Sequence, residues 1–171
     1  MLNFIRKKKV DSAREKTKRE KSFLNYDAIE DILILFNLKD WQEVKRIADN
    51  LREDRKTVHL WTVRPKEKGE TPVPSEVKAI DASKHISWTQ SLAKPIIEEY
   101  QKIYYDTLLD LTTMSDNTLE YLLAINKSKF CVGIRENEAK EKVYDFVLLK
   151  KEEDDIFTTF EQLKYYLGKL N

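Results

Sequence analysis

Asp106 and Asp110 are the first residues of this sequence that could share a reaction, standing at alternate positions of one face in the run Tyr105-Asp-Thr-Leu-Leu-Asp-Leu111. On a β-strand such side chains emerge together, and paired carboxylates can divide acid and base work. Yet they lie roughly 13 Å apart, beyond the reach of an acid/base pair, so the spacing assigns them capping and loop hydrogen bonds. Thr112, Thr113 and Ser115 follow at once and place three hydroxyls before a helix that opens near Asn117. Free backbone N–H groups at a helix N-terminus could hold a phosphate or carboxylate there. Asp116 opposes an anion, and Ser115, Asp116 and Asn117 also serve as helix caps. His59 alternates with Trp61 and reads as a core or edge histidine. His85, in a polar turn, is the better acid/base candidate, although the spacing specifies no partner for it.

Other chemistries are excluded more firmly. Cys131 is the one cysteine, so no intramolecular disulfide forms, and within Phe130-Cys131-Val132 it reads as a small buried hydrophobe. His59, His85 and Cys131 give none of the paired spacings of zinc sites, so no metal is expected. Neither GxGxxG nor GxxxxGK occurs, which excludes the common dinucleotide and P-loop sites and leaves no cofactor to expect. The longest apolar run, 32–36, is far too short to span a bilayer, and no signal-peptide core follows the first lysines. A cytoplasmic protein is expected.

Charge is balanced overall, at 31 basic against 30 acidic residues, but unevenly placed. Residues 1–25 hold nine Lys or Arg against three Asp or Glu. A basic arm on an acidic body suggests an interaction segment. Its candidate contacts are Arg6, Lys7, Lys8, Lys9, Arg14, Lys18 and Arg19. Three partner classes fit: an acidic protein, an anionic membrane surface entered by Leu2, Phe4 and Ile5, or nucleic-acid phosphates. Asp11, Glu15 and Glu20 dilute the last two.

The elements that must position these residues follow from patterning. Residues 1–22 read as a helical arm, and 23–171 as one α/β domain. Asp31 to Phe36 is a continuous apolar run, as in a strand covered on both faces. Asp40 and Glu43 have the capping-box spacing, followed by a helix through Trp41, Val44, Ala48 and Leu51. Thr57 to Val63 reads as a second strand and the proline-rich stretch 64–76 as a loop. Val77 to Ala82 reads as a short strand, and the polar stretch 83–88 has no assignable structure. A helix through Leu92, Ile96, Tyr100 and Ile103, the Asp106/Asp110 strand, and a helix with capping-box residues Asn117 and Glu120 come next. Strands at 130–134 and 144–149 follow. The charged loop between them is short enough for a hairpin-like reversal, which would make the sheet mixed. Ile156, Phe160, Leu163, Leu167 and Leu170 mark a final helix.

This alternation predicts an α/β three-layer sandwich of Rossmann-like or flavodoxin-like type, its sheet mostly parallel, with a basic N-terminal helical extension. Ligands of such sheets bind beyond the carboxyl ends of the strands. That rule selects Asn37, Arg64, Thr112, Thr113 and Ser115 as candidate ligand-binding residues.

At Phe23-Leu-Asn-Tyr26 and along YYDTLLDLTTMSDNTLEYLLAINKSKFCVGI with YDFVLL, the chain resembles an uncharacterised bacterial family of short proteins, and the resemblance implies no activity. Asp106, Asp110, Leu111 and Gly133 also resemble part of the N-terminal half of lipopolysaccharide heptosyltransferases, which implies a related topology. Those enzymes carry a Gly-Asp pair after the first strand, where this chain has Asn37-Leu38-Lys39-Asp40. The functional expectation is a noncatalytic interaction module whose basic arm takes an acidic partner. The alternative is a small enzyme or a sugar-phosphate or nucleotide-sugar binder using the strand-end loops.

Overall fold

A computed structural model of the protein describes residues 2–66, 71–137 and 143–170. Among these residues six strands form one sheet: β1 (Asp31–Leu35), β2 (Thr57–Arg64), β3 (Val77–Asp81), β4 (Thr107–Asp110), β5 (Phe130–Arg135) and β6 (Phe146–Leu149). Their order is β3-β2-β1-β4-β5-β6, and every pairing is parallel. This is the doubly wound Rossmann-like arrangement, in which the strand order reverses direction between β1 and β4.

Strand β1 shows why the sheet must be covered twice. Ile32 and Ile34 point to one side and Leu33 and Leu35 to the other, because successive side chains of a strand alternate, and all four are buried. On the first side they meet Val44, Ile47 and Leu51 of α2 (Trp41–Glu53) and Ile156, Phe160 and Leu163 of α6 (Ile156–Leu167). On the second they meet Ile96 and Tyr100 of α4 (Lys94–Lys102) and Leu119 and Leu122 of α5 (Asn117–Ala124). The continuous apolar runs of the sequence are thus two cores read through one strand. Pro95 falls in the first turn of α4, where its missing N–H has no helical partner to lose. Helix α1 (Leu2–Lys16) lies outside the second layer, against α5, with Ala13 packed on the core.

Three local expectations need correction. The expected reversal between β5 and β6 does not occur, because Val132 to Arg135 pair in parallel with Phe146 to Leu149. A four-residue strand is only about 13 Å long, so residues 136–145 are enough chain to span that distance back; of these, 138–142 lie outside the described residues. The capping box at Asp40 and Glu43 does not form. Asp40 instead accepts the Thr113 hydroxyl, and Glu43 accepts the Ile156 N–H, so a carboxylate of α2 caps α6. Likewise α5 is capped by Asp116, which accepts from Thr118 and Leu119 N–H, while Glu120 turns to the Ser115 hydroxyl. At α2 tertiary partners displace the local cap, whereas at α5 the neighbouring Asp116 and Ser115 take the capping-box roles. The polar stretch after β3 contains a one-turn helix, α3 (Ala82–His85), whose cap is Asp81.

Leu163 is buried in the middle of the α6 stripe. Leu163→Ala is expected to cost about 2–5 kcal/mol in denaturant unfolding, through lost burial and an unfilled cavity; a loss under about 1 kcal/mol would show that α6 is not docked on the sheet as described.

Candidate functional site

The reversal between β1 and β4 opens a crevice at their carboxyl ends, and the loops that border it carry most of the candidate ligand residues. Asn37 follows β1 and spans the gap. Its Oδ1 accepts the N–H groups of Thr113 and Met114 at 2.8 and 3.0 Å, and its Nδ2 donates to the Met114 carbonyl at 3.2 Å. Thr113 Oγ1 donates to Asp40. Four backbone donors that could have faced a phosphate, of Thr113, Met114, Thr118 and Leu119, are therefore held by Asn37 and Asp116, side chains of the protein itself. Arg64 is not brought to this place. It lies on β2, across β1 from the loop, and pairs with Asp81. Hydrogen bonds from Ser83 and Arg64 hold that carboxyl far below the usual range.

Beside β4 is a polar cavity of about 220 Å³, lined by Asp110, Thr112, Ser115, Glu120 and Arg135 among others. Asp110 is buried at its floor. Its Oδ1 accepts the Thr112 N–H at 2.9 Å, its Oδ2 accepts the Tyr144 hydroxyl, and Arg135 stands 3.7 Å away. Arg135 donates to the carbonyl and hydroxyl of Thr112 at 3.0 and 2.8 Å. Burial, followed by the nearby Asp110 charge, pushes the Tyr144 phenol above its ordinary range, so it stays a donor. Gly133 makes this network possible: a Cβ there would sit 2.8 Å from the Tyr144 ring. Thr112, Thr113, Ser115 and Asn37 are thus brought together, but their polar atoms hold two loops in place. The Ser115 and Thr113 hydroxyls each donate to a carboxylate, of Glu120 and Asp40, but no histidine lines the cavity, and no group of metal-ligating side chains occurs among the described residues.

The remaining chemical candidates have structural partners. Asp106, at the other end of β4, accepts the N–H groups of Glu30 and Asp31 and the Thr107 hydroxyl. His85 Nδ1 accepts the Asp81 N–H. Burial raises the Cys131 thiol, which keeps it protonated and inert.

The larger concavity, about 700 Å³, lies between α1, α5 and the segment 90–97. Arg6, Lys8, Lys9 and Lys16 line it together with Phe4, Ile5, Val10 and Ala13 of the same helix. Leu92, Ile97 and Tyr121 form its opposite side. No carboxylate lines it among the described residues. Of the other arm residues, Lys7 and Lys18 are exposed, and Arg14 stands 3.7 Å from Asp11 beside a separate cavity. Arg19 is different. Its side chain is 6% exposed and grips Asp145, 8% exposed, through two bonds of 2.9 and 3.1 Å, while also donating to the Ser128 and Val143 carbonyls. Behind it Ser22 N–H donates to the Lys129 carbonyl, so the segment after α1 is sewn to the start of β5. Sequence reasoning grouped Arg19 with its neighbours because nothing local tells a buried arginine from an exposed one. Lys16, Leu92, Ile97 and Tyr121 were missed because only the fold brings 90–97 and α5 to the arm.

A model of the family of unknown function DUF6913 matches residues 3–170. The chain belongs to that family. No curated protein and no solved structure matches it, and the heptosyltransferase similarity is not shown. The DUF6913 match takes in α1 as well as the sheet, so the groove is built wholly from residues of the family unit.

Two outcomes follow from the packed polar groups. Burial acts to raise the Asp145 carboxyl, but hydrogen bonds from Arg19 and the Cys131 N–H overcome it and lower the value. A depressed carboxylate contributes stability above its unfolded value, near 3.9, and loses it as pH falls through the folded value. Arg19→Met should cost about 1.5–3 kcal/mol at pH 7, because the buried Asp145 carboxylate then keeps only the Cys131 N–H at 2.9 Å and the exposed Lys21 at 3.5 Å. That difference from wild type should shrink below about pH 4; a difference constant with pH would separate Asp145 from the effect. Gly133→Ala should destabilise by about 1–3 kcal/mol, through displacement of the Tyr144 ring. Combining it with Tyr144→Ala should give less than the sum of the two single losses; additivity would show that the ring is not what Gly133 accommodates.

Proposed function

We propose that this DUF6913 protein is a noncatalytic cytoplasmic binding module that holds an acidic partner protein against its N-terminal helix. The observation that carries the reading is the groove beside α1, whose lining has four cationic side chains and, among its described residues, no carboxylate. At about 700 Å³ it exceeds the strand-end cavity threefold and falls in the range of specific binding sites. Its cations line an apolar floor, where desolvation strengthens attraction to an incoming carboxylate. The strand-end cavity supports catalysis less well, because its carboxylates and hydroxyls are engaged with one another. No helix among the described residues is long and apolar enough to cross a membrane, and the single cysteine is buried.

Binding to a glutamate-rich polypeptide should weaken roughly tenfold between about 50 and 200 mM salt, as counterions screen the exposed charges. Replacing Arg6, Lys8, Lys9 and Lys16 by Gln should cause a comparable loss at low salt. Isothermal titration of both proteins against the polypeptide, phosphatidylserine vesicles and duplex DNA checks this. Salt-insensitive binding, equal binding by the substituted protein, or preference for vesicles or DNA would overturn the acidic-protein reading.

A further inference from the structure

We infer that the occupant of the α1 groove is an acidic amphipathic α-helix, about 12 residues of it in contact, laid alongside α1 over the α4/α5 layer. This rests on the binding reading above and deepens it by specifying the form of the partner.

The first argument is from the backbone. The walls of the groove are α1, α5 and the first turn of α4; at Val10, Ala13, Ile97 and Tyr121 along its middle the N–H groups lie within helix, and at the start of α5 the Thr118 N–H is held by the Asp116 side chain. The remaining wall, the turn from Ile86 to Leu92, is also closed. Ile86 and Leu92 bridge, Ser87 N–H donates to the Ser91 carbonyl at 3.0 Å, and Gln90 N–H donates to Ser87 at 2.9 Å. No sheet edge enters the groove among the described residues, since none of those lining it lies in β1 to β6. An extended chain buried here would therefore leave backbone groups unpaired, whereas a helix satisfies its own.

The second argument is from side chains. Val10 and Ala13 of α1 face Leu92, Ile97 and Tyr121 across the groove, an apolar strip that a freely solvated polyanion would have no means to use. Along its edge run Lys8, Lys9 and Lys16, with Arg6 near the open end. Lys9 Nζ bonds Ser91 Oγ at 2.7 Å and ties the helix to the turn, while Phe4 at that end is 70% exposed. An apolar stripe bordered by carboxylates complements this pattern at i, i+3, i+4 and i+7. From Phe4 to Lys16 the groove extends about 18 Å at 1.5 Å per residue, which sets the contact length.

The test uses the full chain and two synthetic peptides of about 16 residues and identical Leu, Ala and Glu composition. One places Leu at i, i+3, i+4 and i+7; the other is scrambled to remove the apolar face. The amphipathic peptide should bind at least about tenfold more tightly and gain helical circular dichroism on binding. Ile97→Asp should abolish that preference. Val10→Asp, on α1 and outside the sheet cores, should do the same and covers the case in which Ile97→Asp fails to fold. Equal binding of the two peptides, a preference surviving Val10→Asp, or a bound peptide without helical signal would overturn the helix and leave the acidic-partner reading standing. Failure of both peptides to bind would overturn both readings together.

Discussion

All six strands run in one direction, and that single constraint shapes what surrounds them. A parallel strand cannot be reached by a tight turn, so each connection must return along the sheet before the next strand begins. Where the return is a helix it must bury an apolar stripe, and the sheet must offer apolar side chains on the face it chooses. The chain takes one face for α2 and α6 and the other for α4 and α5. The change of face occurs between β1 and β4, the two central strands, and this is also where the strand order turns back on itself.

The crevice created there is the place where this architecture usually binds ligands. In this protein its polar groups are engaged across it. Asn37 holds the loop after β4, Asp110 gathers Tyr144, Arg135 and Thr112, and Asp116 completes the end of α5. Removing charged and polar groups from water is tolerable when each finds a partner, and these do. Lys56 repeats the principle at the opposite end of the sheet, donating to the Tyr26 and Ile29 carbonyls beneath the Tyr26 ring. Burial lowers its ammonium, with nearby Asp54 acting against the shift. The larger concavity lies outward instead, in the furrow that α1 makes with the outer helices.

Much of this architecture was legible in the sequence because the signals were local. The run Asp31 to Phe36, the four-three spacing from Ile156 and the proline cluster before β3 each carried their own evidence. Local spacing misled where a tertiary partner competed for the same atom. Asp40 and Glu43 have the spacing of a reciprocal cap, yet one reaches Thr113 and the other Ile156. The direction of β6 was hidden because its four residues make a short return path, which a charged loop can cover as readily as a reversal. At the candidate site, Asn37 and Thr113 came from the strand-end rule and do meet. Arg64 obeyed the same rule but lies beyond β1. The groove had half a signature, the basic arm; its apolar side at Leu92, Ile97 and Tyr121 had none.

The three tryptophans occupy three environments. Trp61 is 4% exposed in the α4 face of the core, Trp41 packs partly covered against Phe36, and Trp88 stands 85% exposed at the tip of the turn that walls the groove. A water-soluble quencher such as iodide therefore reaches one indole far more readily than the others, and that indole stands on the turn beside the groove. The protein carries its own optical reporter, with a solvent-facing emission at the groove and a buried emission in the core that remains as an internal reference.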